Sequence, residues 1–468
     1  MNVAFLQKFW EELTGPLILA DLLERQGHVV KFFLPQAGWF ENLARFRPQV
    51  LAFTLCTGEH QWVLRVAERA KKTLPGPPLV VLGGPHPTFF PEIIQHPSVD
   101  AICRGEGEIA FPRFLEACEG NGLPTDIDNF WVKKQGHIFK NPMGRLVRDL
   151  DSLPILRRTT LYDDYPFLRT SPYKKTITSR GCPFNCNYCF NHVYKKMVKG
   201  KGPYIRRRSV DHVVEEVRYV KERFGVKFMD FADDIFILDR SWILEFAQKY
   251  RSVNVPYGCN IHVGLLDDTI AEALKSSGCR IVKFGLETAN ETIRQAVLNK
   301  KTTNGQIRRA CQILHQHKLM FQPFNVLGFP GESIEDGFET IHFNQEIKPF
   351  HAWCSIAQPL PGTKLAQMCE EKGLVTKQAQ EKEYPTSWFD TSILQIQDKS
   401  AIINLHKFFP ALVRFPWLEP LVRVLIQLPP NALFRLWYHI FYGLHMRHIA
   451  RVSWWRAFVS YWKLRKQY

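Results

Sequence analysis

The chain has 468 residues, of which 45% are hydrophobic, and its formal net charge is +16. At roughly 150 residues per domain, this length predicts about three units with ample core. No run of about 18 uninterrupted apolar residues occurs, so we expect no membrane-spanning helix, and the N-terminus lacks the pattern of a secretory signal.

The cysteines and the distribution of charge narrow the class of protein further. Eleven cysteines, an odd number scattered along the chain, do not form the pattern of a disulfide framework, and we expect a cytoplasmic protein in reducing surroundings. Nine of the sixteen excess positive charges lie in residues 401–468. The charge therefore belongs mainly to an appendage, and nucleic acid is not expected as a partner.

Residues 1–143 alternate short apolar runs with helical patterns. This alternation predicts an α/β unit with a parallel, doubly wound sheet of the Rossmann-like (flavodoxin-like) kind, which binds ligands at the carboxyl ends of its strands. The predicted strands are Asn2 to Leu6, His28 to Phe33, Val50 to Thr54, Leu79 to Leu82 and Asp100 to Cys103.

Three loops at the ligand edge of this sheet carry small or polar residues. Thr54 ends one strand, Gly83 and Gly84 follow the next, and Gly105 and Glu106 follow a third. Glycines directly after a buried strand let the backbone approach a bulky ligand closely. These five residues are the candidate ligand-binding positions of the first unit, although glycine-containing loops are common in such folds whatever the ligand.

After a polar linker over residues 144–172, residues 173–375 repeat β–α units. Each predicted strand ends in a polar or Gly/Pro stretch, which is typical of a (β/α) barrel or a partial barrel with its chemistry on the C-terminal face. We expect a partial barrel of six such units. Strands are predicted at Lys175 to Ser179, Val226 to Phe231, Tyr257 to Val263, Ile281 to Leu286, Met320 to Leu327 and Trp353 to Ala357.

The loop after the first of these strands contains Cys182, Cys186 and Cys189. Three thiolates on one short loop can hold three corners of a [4Fe–4S] cubane and leave the fourth iron open. A structural zinc site is the alternative, but it requires a fourth ligand, usually in a second pair. His192 is near, and no such pair follows. A buried trio without a metal is the second alternative.

The cysteine spacing, with an aromatic residue before the last cysteine, resembles the signature of the radical SAM enzymes. The resemblance implies a [4Fe–4S] cluster on the three cysteines, with S-adenosylmethionine (SAM) bound to its open iron. By residue-to-residue correspondence it places Tyr188 near adenine, Asp233 and Asp234 near the methionyl ammonium, Glu287 near ribose or the methionyl group, and Gly328 beside adenine. As alternatives, Asp234 and Glu287 are helix or turn caps and Gly328 lies in a left-handed turn.

The first unit resembles the cobalamin-binding domain that precedes the radical SAM domain in one large subfamily. The Asp-x-His-x-x-Gly motif, whose histidine ligates cobalt in many cobalamin domains, is absent from this sequence. The resemblance therefore implies cobalamin bound without a protein histidine ligand. The alternative is a Rossmann-like domain kept only as a scaffold.

Together these resemblances imply an enzyme that cleaves SAM reductively to a 5′-deoxyadenosyl radical and methylates an unactivated carbon through cobalamin. Other members of the subfamily catalyse cyclisation, ring rearrangement or oxygen insertion, and these stay open. Methylthiolation of tRNA and a non-catalytic cofactor scaffold are disfavoured alternatives. The implied partners are a small-molecule or lipid-like substrate and an electron donor of the flavodoxin or ferredoxin type.

Residues 376–468 form a basic, aromatic-rich extension with six of the twelve tryptophans, and we expect it to be helical. Leu433, Trp437, Ile440, Phe441 and Leu444 fall on one helical face. Such a helix either packs on the barrel as a cap or lies in a membrane interface, which would make the protein peripherally membrane-associated.

Overall fold

The computed structural model describes residues 1–360, 362–376, 384–385, 387 and 389–450, without the side chains of residues 121 and 442–450. By contacts it divides into two compact units. The first comprises residues 1–181 and 194–227, and the second comprises residues 182–193 and those from 228 onward. The domain limits expected from the sequence stay a prediction.

The first unit contains one seven-stranded sheet in the order β2-β1-β3-β4-β5-β6-β7. Strands β1 to β5 pair in parallel, and β6 and β7 add an antiparallel hairpin at one edge. The predicted Rossmann-like sheet is confirmed. The strands are β1 Asn2–Leu6, β2 Val29–Phe33, β3 Val50–Thr54, β4 Leu79–Gly83, β5 Ala101–Cys103, β6 Phe130–Lys134 and β7 His137–Lys140.

Both faces of this sheet are buried. Val3 and Phe5 of β1 pack into one apolar core, and Ala4 and Leu6 pack into the other. Successive side chains of a strand point to opposite faces, so a strand between two cores must be apolar throughout. The uninterrupted apolar runs of the sequence follow from this arrangement.

Helices pack on both faces of the sheet: residues 14–25, 110–121, 159–162 and 166–169 contribute to one core, and residues 39–46 and 60–73 contribute to the other. The helices are α1 Thr14–Arg25, α2 Trp39–Phe46, α3 His60–Thr73, α4 Pro85–Phe89, α5 Ala110–Asn121, α6 Thr159–Tyr162, α7 Pro166–Arg169, α8 Asn191–Met197 and α9 Val210–Phe224.

The predicted strand Lys175 to Ser179 is wrong in its bounds. The structure has two short strands instead, β8 Tyr173–Thr176 and β9 Ser179–Arg180. Strand β9 pairs antiparallel with β10, Arg206–Arg207. Because β9 pairs with β10 in a separate ladder, the extended segment is interrupted between β8 and β9.

The second unit contains a parallel sheet whose strands follow one another in chain order. This confirms the predicted parallel partial barrel. The strands are β11 Phe228–Phe231, β12 Tyr257–Asn260, β13 Cys279–Glu287, β14 Met320–Leu327 and β15 Trp353–Ile356. The helices are α10 Arg240–Tyr250, α11 Asp268–Ser276, α12 Asn304–Gln316, α13 Ile334–Ile347 and α14 Lys364–Glu371.

Each of these five helices begins at a side-chain cap. The capping oxygen accepts a hydrogen bond from the backbone N–H three residues later, which satisfies one unpaired donor of the first turn. The caps are Asp239, Asp267, Thr303, Ser333 and Thr363. The loops between strand ends and caps are therefore of defined length, and they form the edge at which the predicted site residues lie.

Three more helices follow, α15 Lys399–Arg414, α16 Glu419–Leu425 and α17 Ala432–Ala450. They share a core that includes Leu405, Phe409, Val422, Ile426 and Phe434. The predicted helical extension is confirmed over these residues. Among the described residues, no helix is both long enough and apolar enough to cross a bilayer.

The buried side of α17 is not the side that would be buried if the predicted apolar stripe packed on the barrel as a cap. Phe434 and Tyr438 are its buried residues, whereas Leu433, Trp437 and Ile440 are exposed. The stripe expected to pack inward therefore faces outward. The side chain of Leu444 lies outside the described residues, as do Trp388, Trp454, Trp455, Trp462 and the basic residues from Arg451 onward.

Candidate functional site

The three cysteines of the predicted ligand loop lie close to one another between β9 and α8. All three are free thiols of intermediate exposure. Burial is the main cause that raises the pKa of Cys182 to about 11, and the neighbouring Asp234, Cys189 and Cys186 contribute to this rise. Thiols that resist ionisation by themselves need a positive partner to become thiolates, and a metal centre supplies one.

Asparagines fix this loop to other loops of the second unit. The backbone N–H of Asn187 donates to Leu298 O at 2.9 Å, and its side-chain Nδ2 donates to Val297 O at 2.9 Å. Asn187 O accepts from Leu365 N at 2.9 Å, and Asn185 O accepts from Asn299 Nδ2 at 2.9 Å. The loop is therefore held from two sides. These residues were not predicted from the sequence, because an asparagine in a loop carries no signal for its partner.

The sulfur atoms have donors suited to a bound cluster. Asn191 N lies 3.4 Å and Asn191 Nδ2 3.6 Å from Cys189 Sγ. No three His, Cys, Asp or Glu side chains of the described residues converge as ligands of a single metal ion. A cubane does not require such convergence, because each cysteine binds a different iron. The donor set and the N–H···S contacts therefore fit a [4Fe–4S] cluster.

A buried acid–base pair lies beside this loop. Glu287 Oε1 accepts hydrogen bonds from Tyr188 Oη and from Lys300 Nζ, each at 2.8 Å. Glu287 ends β13 with φ at 70°, a conformation rarely adopted by a non-glycine residue. A Cβ atom on Gly285 would collide with both the Glu287 carboxylate and the Lys300 ammonium. Gly285 therefore provides the space in which this pair lies over the strand.

Lys300 is a site residue that sequence reasoning missed. It is 9% exposed, and its charge lowers the pKa of Cys186, although burial raises that pKa by more. It also contributes to the lowered pKa of His262, about 4, whose main cause is burial. Since Lys300 lies thirteen residues beyond the end of β13, no strand-end pattern could have identified it.

The two predicted aspartates after β11 differ in their surroundings. Asp233 is buried, and its backbone carbonyl accepts from Asn260 Nδ2 at 2.8 Å. Asp234 is exposed and hydrogen-bonds the Asn191 side chain, and its charge acts on Cys182 and Cys189. The structure thus brings Asp234 to the cysteine loop together with Tyr188, Glu287 and Lys300.

Two further strand ends contact the C-terminal region. A Cβ atom on Gly328 would lie 2.8 Å from Ile396 Cδ1, so the chain itself fills the space beside this glycine. Gln358 Nε2 donates to Thr391 O at 2.6 Å. The expected contact of Gly328 with adenine stays a prediction.

The carboxylate of Glu332 is buried next to Gly328. Glu332 Oε2 accepts from Gly328 N at 2.6 Å and from Phe329 N at 3.0 Å. Burial raises the pKa of Glu332 to about 7, although these N–H groups and the Thr288 hydroxyl favour the charged form. Glu332 thereby ties the turn after β14 into one conformation.

In the first unit, the loops after β3, β4 and β5 are joined around the predicted glycines. A Cβ atom on Gly84, which has φ at 93°, would lie 2.9 Å from Thr54 Oγ1 and 3.0 Å from Leu55 N. Thr88 Oγ1 donates to Gly84 O at 2.8 Å and accepts from Gly105 N at 2.9 Å. The structure thus brings together Thr54, Gly84 and Gly105, with Gly83 at the end of β4.

Buried polar atoms without partners lie next to these loops. His60 and His86 stack with ring centroids 4.7 Å apart. Burial lowers the pKa of both, that of His86 to about 3 with a contribution from His60, so the two rings are neutral. His60 Nε2 and Tyr194 Oη are buried without a hydrogen-bond partner among the described atoms. Unsatisfied groups of this kind, beside loops that only glycine fits, suit a large ligand rich in amides and hydroxyls, such as cobalamin.

The carboxylate of Glu106 is bound by other residues of the first unit. Its carboxylate accepts from Arg206 at 2.9 and 2.7 Å, from Arg180 at 3.0 Å and from Val147 N at 2.9 Å. Burial alone would raise the pKa of Glu106, but the two arginines lower it below its usual value. In this structure Glu106 fixes the loop after β5, and its contact with a ligand stays a prediction.

Comparisons with known families match both units. Residues 176–343 match the Radical SAM superfamily, and residues 14–115 match the B12 binding domain. These two ranges contain the three cysteines and the candidate loops of the first unit.

Curated relatives include methyltransferases and a cyclase. An uncharacterized methyltransferase of Pyrococcus horikoshii is 30% identical over 365 residues, which cover 75% of this chain and 78% of the relative. Anaerobic magnesium-protoporphyrin IX monomethyl ester cyclase of Rubrivivax gelatinosus is 25% identical over 346 residues, covering 71% and 60%. Cytidylyl-2-hydroxyethylphosphonate methyltransferase of Streptomyces wedmorensis is 25% identical over 342 residues, covering 64% and 62%.

Solved structures share the fold at low sequence identity. The radical S-adenosylmethionine methyltransferase TsrM of Kitasatospora setae, with cobalamin and a [4Fe–4S] cluster bound, has a TM-score of 0.66 at 15% identity, covering 80% of this chain and 78% of that one. The cobalamin-dependent S-adenosylmethionine radical enzyme OxsB, with aqua-cobalamin bound, has a TM-score of 0.62 at 15% identity, covering 85% and 58%.

The raised pKa of Glu332 predicts a pH dependence of stability. A carboxyl group whose pKa is higher in the folded chain binds an extra proton there, so its contribution to stability falls as pH rises from about 4.5 to about 7. Relative to Glu332→Gln, we expect the wild type to lose about 3 kcal/mol of unfolding free energy across this window. Urea unfolding across this pH range measures the difference.

Glu339→Gln, at an exposed position of α13, the helix that follows Glu332, is the matched control, and it should show no such dependence. A constant difference between the wild type and Glu332→Gln at all pH values would contradict the prediction.

Proposed function

The chain belongs to the radical SAM superfamily, in the group with an N-terminal B12 binding domain, and from this premise we propose that it methylates an unactivated carbon of a small or lipid-like molecule. As a member it is a radical SAM enzyme with a [4Fe–4S] cluster, SAM and cobalamin as cofactors. When bound, the cluster supplies the electron that cleaves SAM, and cobalamin supplies the means of methyl transfer. The electron comes from a donor of the flavodoxin or ferredoxin type.

The observation that carries the proposal is the placement of opposite charges around the anchored cysteine loop. Cys182, Cys186 and Cys189 would hold the cluster, with SAM bound beside them. Asp234, beside the loop, presents a carboxylate to the methionyl ammonium. Charge-assisted hydrogen bonds of this kind are short and strong, and they fix the orientation of the bound group.

Lys300 supplies the complementary charge. The ammonium of Lys300 has three N–H donors, and one of them donates a hydrogen bond to the carboxylate of Glu287. A second anion fits the remaining donors, and the methionyl carboxylate is the anion that SAM brings. Tyr188 and Glu287 orient this lysine, and the backbone at Gly328 supports the adenine.

Cobalamin is held by the joined loops of the first unit. Thr54, Gly83, Gly84 and Gly105 line its approach, and His60 Nε2 and Tyr194 Oη are free to hydrogen-bond its polar substituents. Glu106 keeps the loop after β5 in place through its arginines.

Carbon methylation is favoured over the alternatives because the 30% identical relative is a methyltransferase. The relatives at 25% identity include a cyclase, so radical cyclisation is the second candidate. The two candidates differ in the fate of the SAM methyl group, which appears in the product of a methyltransferase and not in that of a cyclase.

The first prediction concerns the cluster. Anaerobically purified, reduced protein is expected to form 5′-deoxyadenosine from SAM, whereas Cys186→Ala is expected to lose the cluster absorption and the 5′-deoxyadenosine and to keep its cobalamin. Cys118→Ala, a half-buried thiol of α5, is the control and should behave as wild type. If Cys186→Ala also lost its cobalamin, the prediction that the cluster and cobalamin sites are separable would be wrong.

Isotope labelling distinguishes methylation from cyclisation. When the protein is incubated with trideuteromethyl SAM and cell extracts that supply the substrate, a methyltransferase gives a product that carries the intact CD3 group on carbon. A product that forms with 5′-deoxyadenosine but without label would overturn methylation in favour of cyclisation or rearrangement.

The second prediction concerns Lys300. Lys300→Met removes the buried ammonium and is expected to weaken SAM binding by about tenfold to a hundredfold, the range of a charge-assisted hydrogen bond. Equilibrium dialysis of labelled SAM with the cluster-loaded protein measures it. Lys301→Met, the exposed neighbour, is the matched control. Equal affinity in both variants would remove Lys300 from the SAM site.

The third prediction concerns Gly84. Gly84→Ala places a Cβ atom against Thr54 and Leu55 and is expected to weaken cobalamin binding by roughly tenfold or more, since strained backbone and clash both disturb the loop. The visible spectrum of the purified protein reports the bound cofactor. Gly76→Ala is the control, because Gly76 also has positive φ, at 80°, but faces open space. Full cobalamin content in Gly84→Ala would contradict the assignment.

A further inference from the structure

The last helices expose a continuous set of large apolar side chains. Around α16, the four exposed apolar residues from Trp417 to Leu428 are separated by four, three and four positions. On α17, the four from Leu433 to Ile440 are separated by three, one and three positions. These are spacings of single helical faces. The C-terminal apolar face consists of Trp417, Leu421, Val424, Leu428, Leu433, Leu436, Trp437 and Ile440.

These residues are not the ones that hold the helices to the protein. The inward sides of α16 and α17 are formed by Val422, Ile426 and Phe434, which pack against α15. On the outward sides, Trp417 and Leu433 are each 74% exposed and Val424 is 67% exposed. Helices with an apolar inner face and an equally apolar outer face have more apolar surface than the fold covers.

The charges around this face select its occupant. Arg414, the last residue of α15, and Arg435 of α17 are exposed. From Lys399 to Tyr468 the sequence contains a single acid, Glu419, and this acid is hydrogen-bonded to Arg423 and His342. Within the described residues from 399 to 450, no other carboxylate balances Arg414 and Arg435, so positive charge accompanies the apolar face.

We propose that the C-terminal apolar face docks onto the interface of an anionic phospholipid bilayer. Apolar and tryptophan side chains enter the boundary between headgroups and acyl chains, and the arginines contact the anionic headgroups. A second copy of the chain is a poorer occupant, because two faces with the same positive border repel each other. This docking is independent of the reaction assigned to the cofactor-binding units.

The test uses the full chain and extruded vesicles. We expect the wild type to sediment with vesicles of phosphatidylcholine and phosphatidylglycerol, and less with phosphatidylcholine alone. The variants Leu433→Gln/Ile440→Gln and Leu421→Gln/Val424→Gln change exposed residues only, and each is expected to lower the partition coefficient by about tenfold. High salt is expected to weaken the binding further.

The control is Val29→Gln/Ile205→Gln, which changes two exposed apolar residues of the first unit. It is expected to sediment as wild type, and unchanged thermal melting verifies folding in all variants. Equal sedimentation of the wild type and the face variants overturns the proposal, as does absence of wild-type binding to anionic vesicles.

Two other occupants give distinct results. If light scattering shows a wild-type dimer that the face variants dissociate, and vesicles bind neither, the occupant is a second copy and the proposal fails. If deletion of residues 451–468 abolishes vesicle binding while the face variants leave it unchanged, the docking surface is that segment and the proposal also fails.

Discussion

The geometry of the candidate site depends on hydrogen bonds made by the backbone of an irregular loop. The segment that carries Cys182, Cys186 and Cys189 has no ladder of its own, so its shape is set by Asn187 and Asn299 and by the backbone of Leu365. These contacts come from loops that follow two different strands. A ligand set held this way is organised before the cofactor binds, and the ordering entropy is lost on folding and not on binding.

The second constraint is the pairing of buried charges at two strand ends. Glu287 meets Lys300 and Tyr188, and Glu106 meets Arg180 and Arg206. Removing one member of such a pair leaves an uncompensated charge in the interior, which costs more than the pair contributes. Both acids follow strand ends, where the sequence indicated ligand contacts. In the structure each acid orders its own loop through hydrogen bonds to neighbouring side chains.

Much of the architecture could be predicted because its signals are local. Buried parallel strands are continuous apolar runs, caps such as Asp239 and Ser333 stand three residues before the N–H they bind, and the glycines at 83 and 84 follow a strand directly. Lys300 and the arginine partners of Glu106 were missed because their contacts join residues far apart: Arg206 is 100 positions from Glu106. The bounds of β8 and β9 were wrong for the same reason, since β9 pairs with a distant strand.

The sequence by itself determined the order of the two family domains and the helical nature of the extension, and it predicted the cysteine ligand set, because strand runs, ligand spacing and helical periodicity are all properties of neighbouring residues. Only the tertiary structure decided which charges meet and which helix face is covered. Periodicity placed Leu433 and Ile440 on one side of a helix, but whether that side is buried depends on packing, and α15 packs against Phe434 instead. A cysteine trio likewise predicts a cluster, whereas the ammonium of Lys300 and the carboxylate of Asp234 come near the cysteine loop only when the separate strand ends of a parallel sheet meet at one edge.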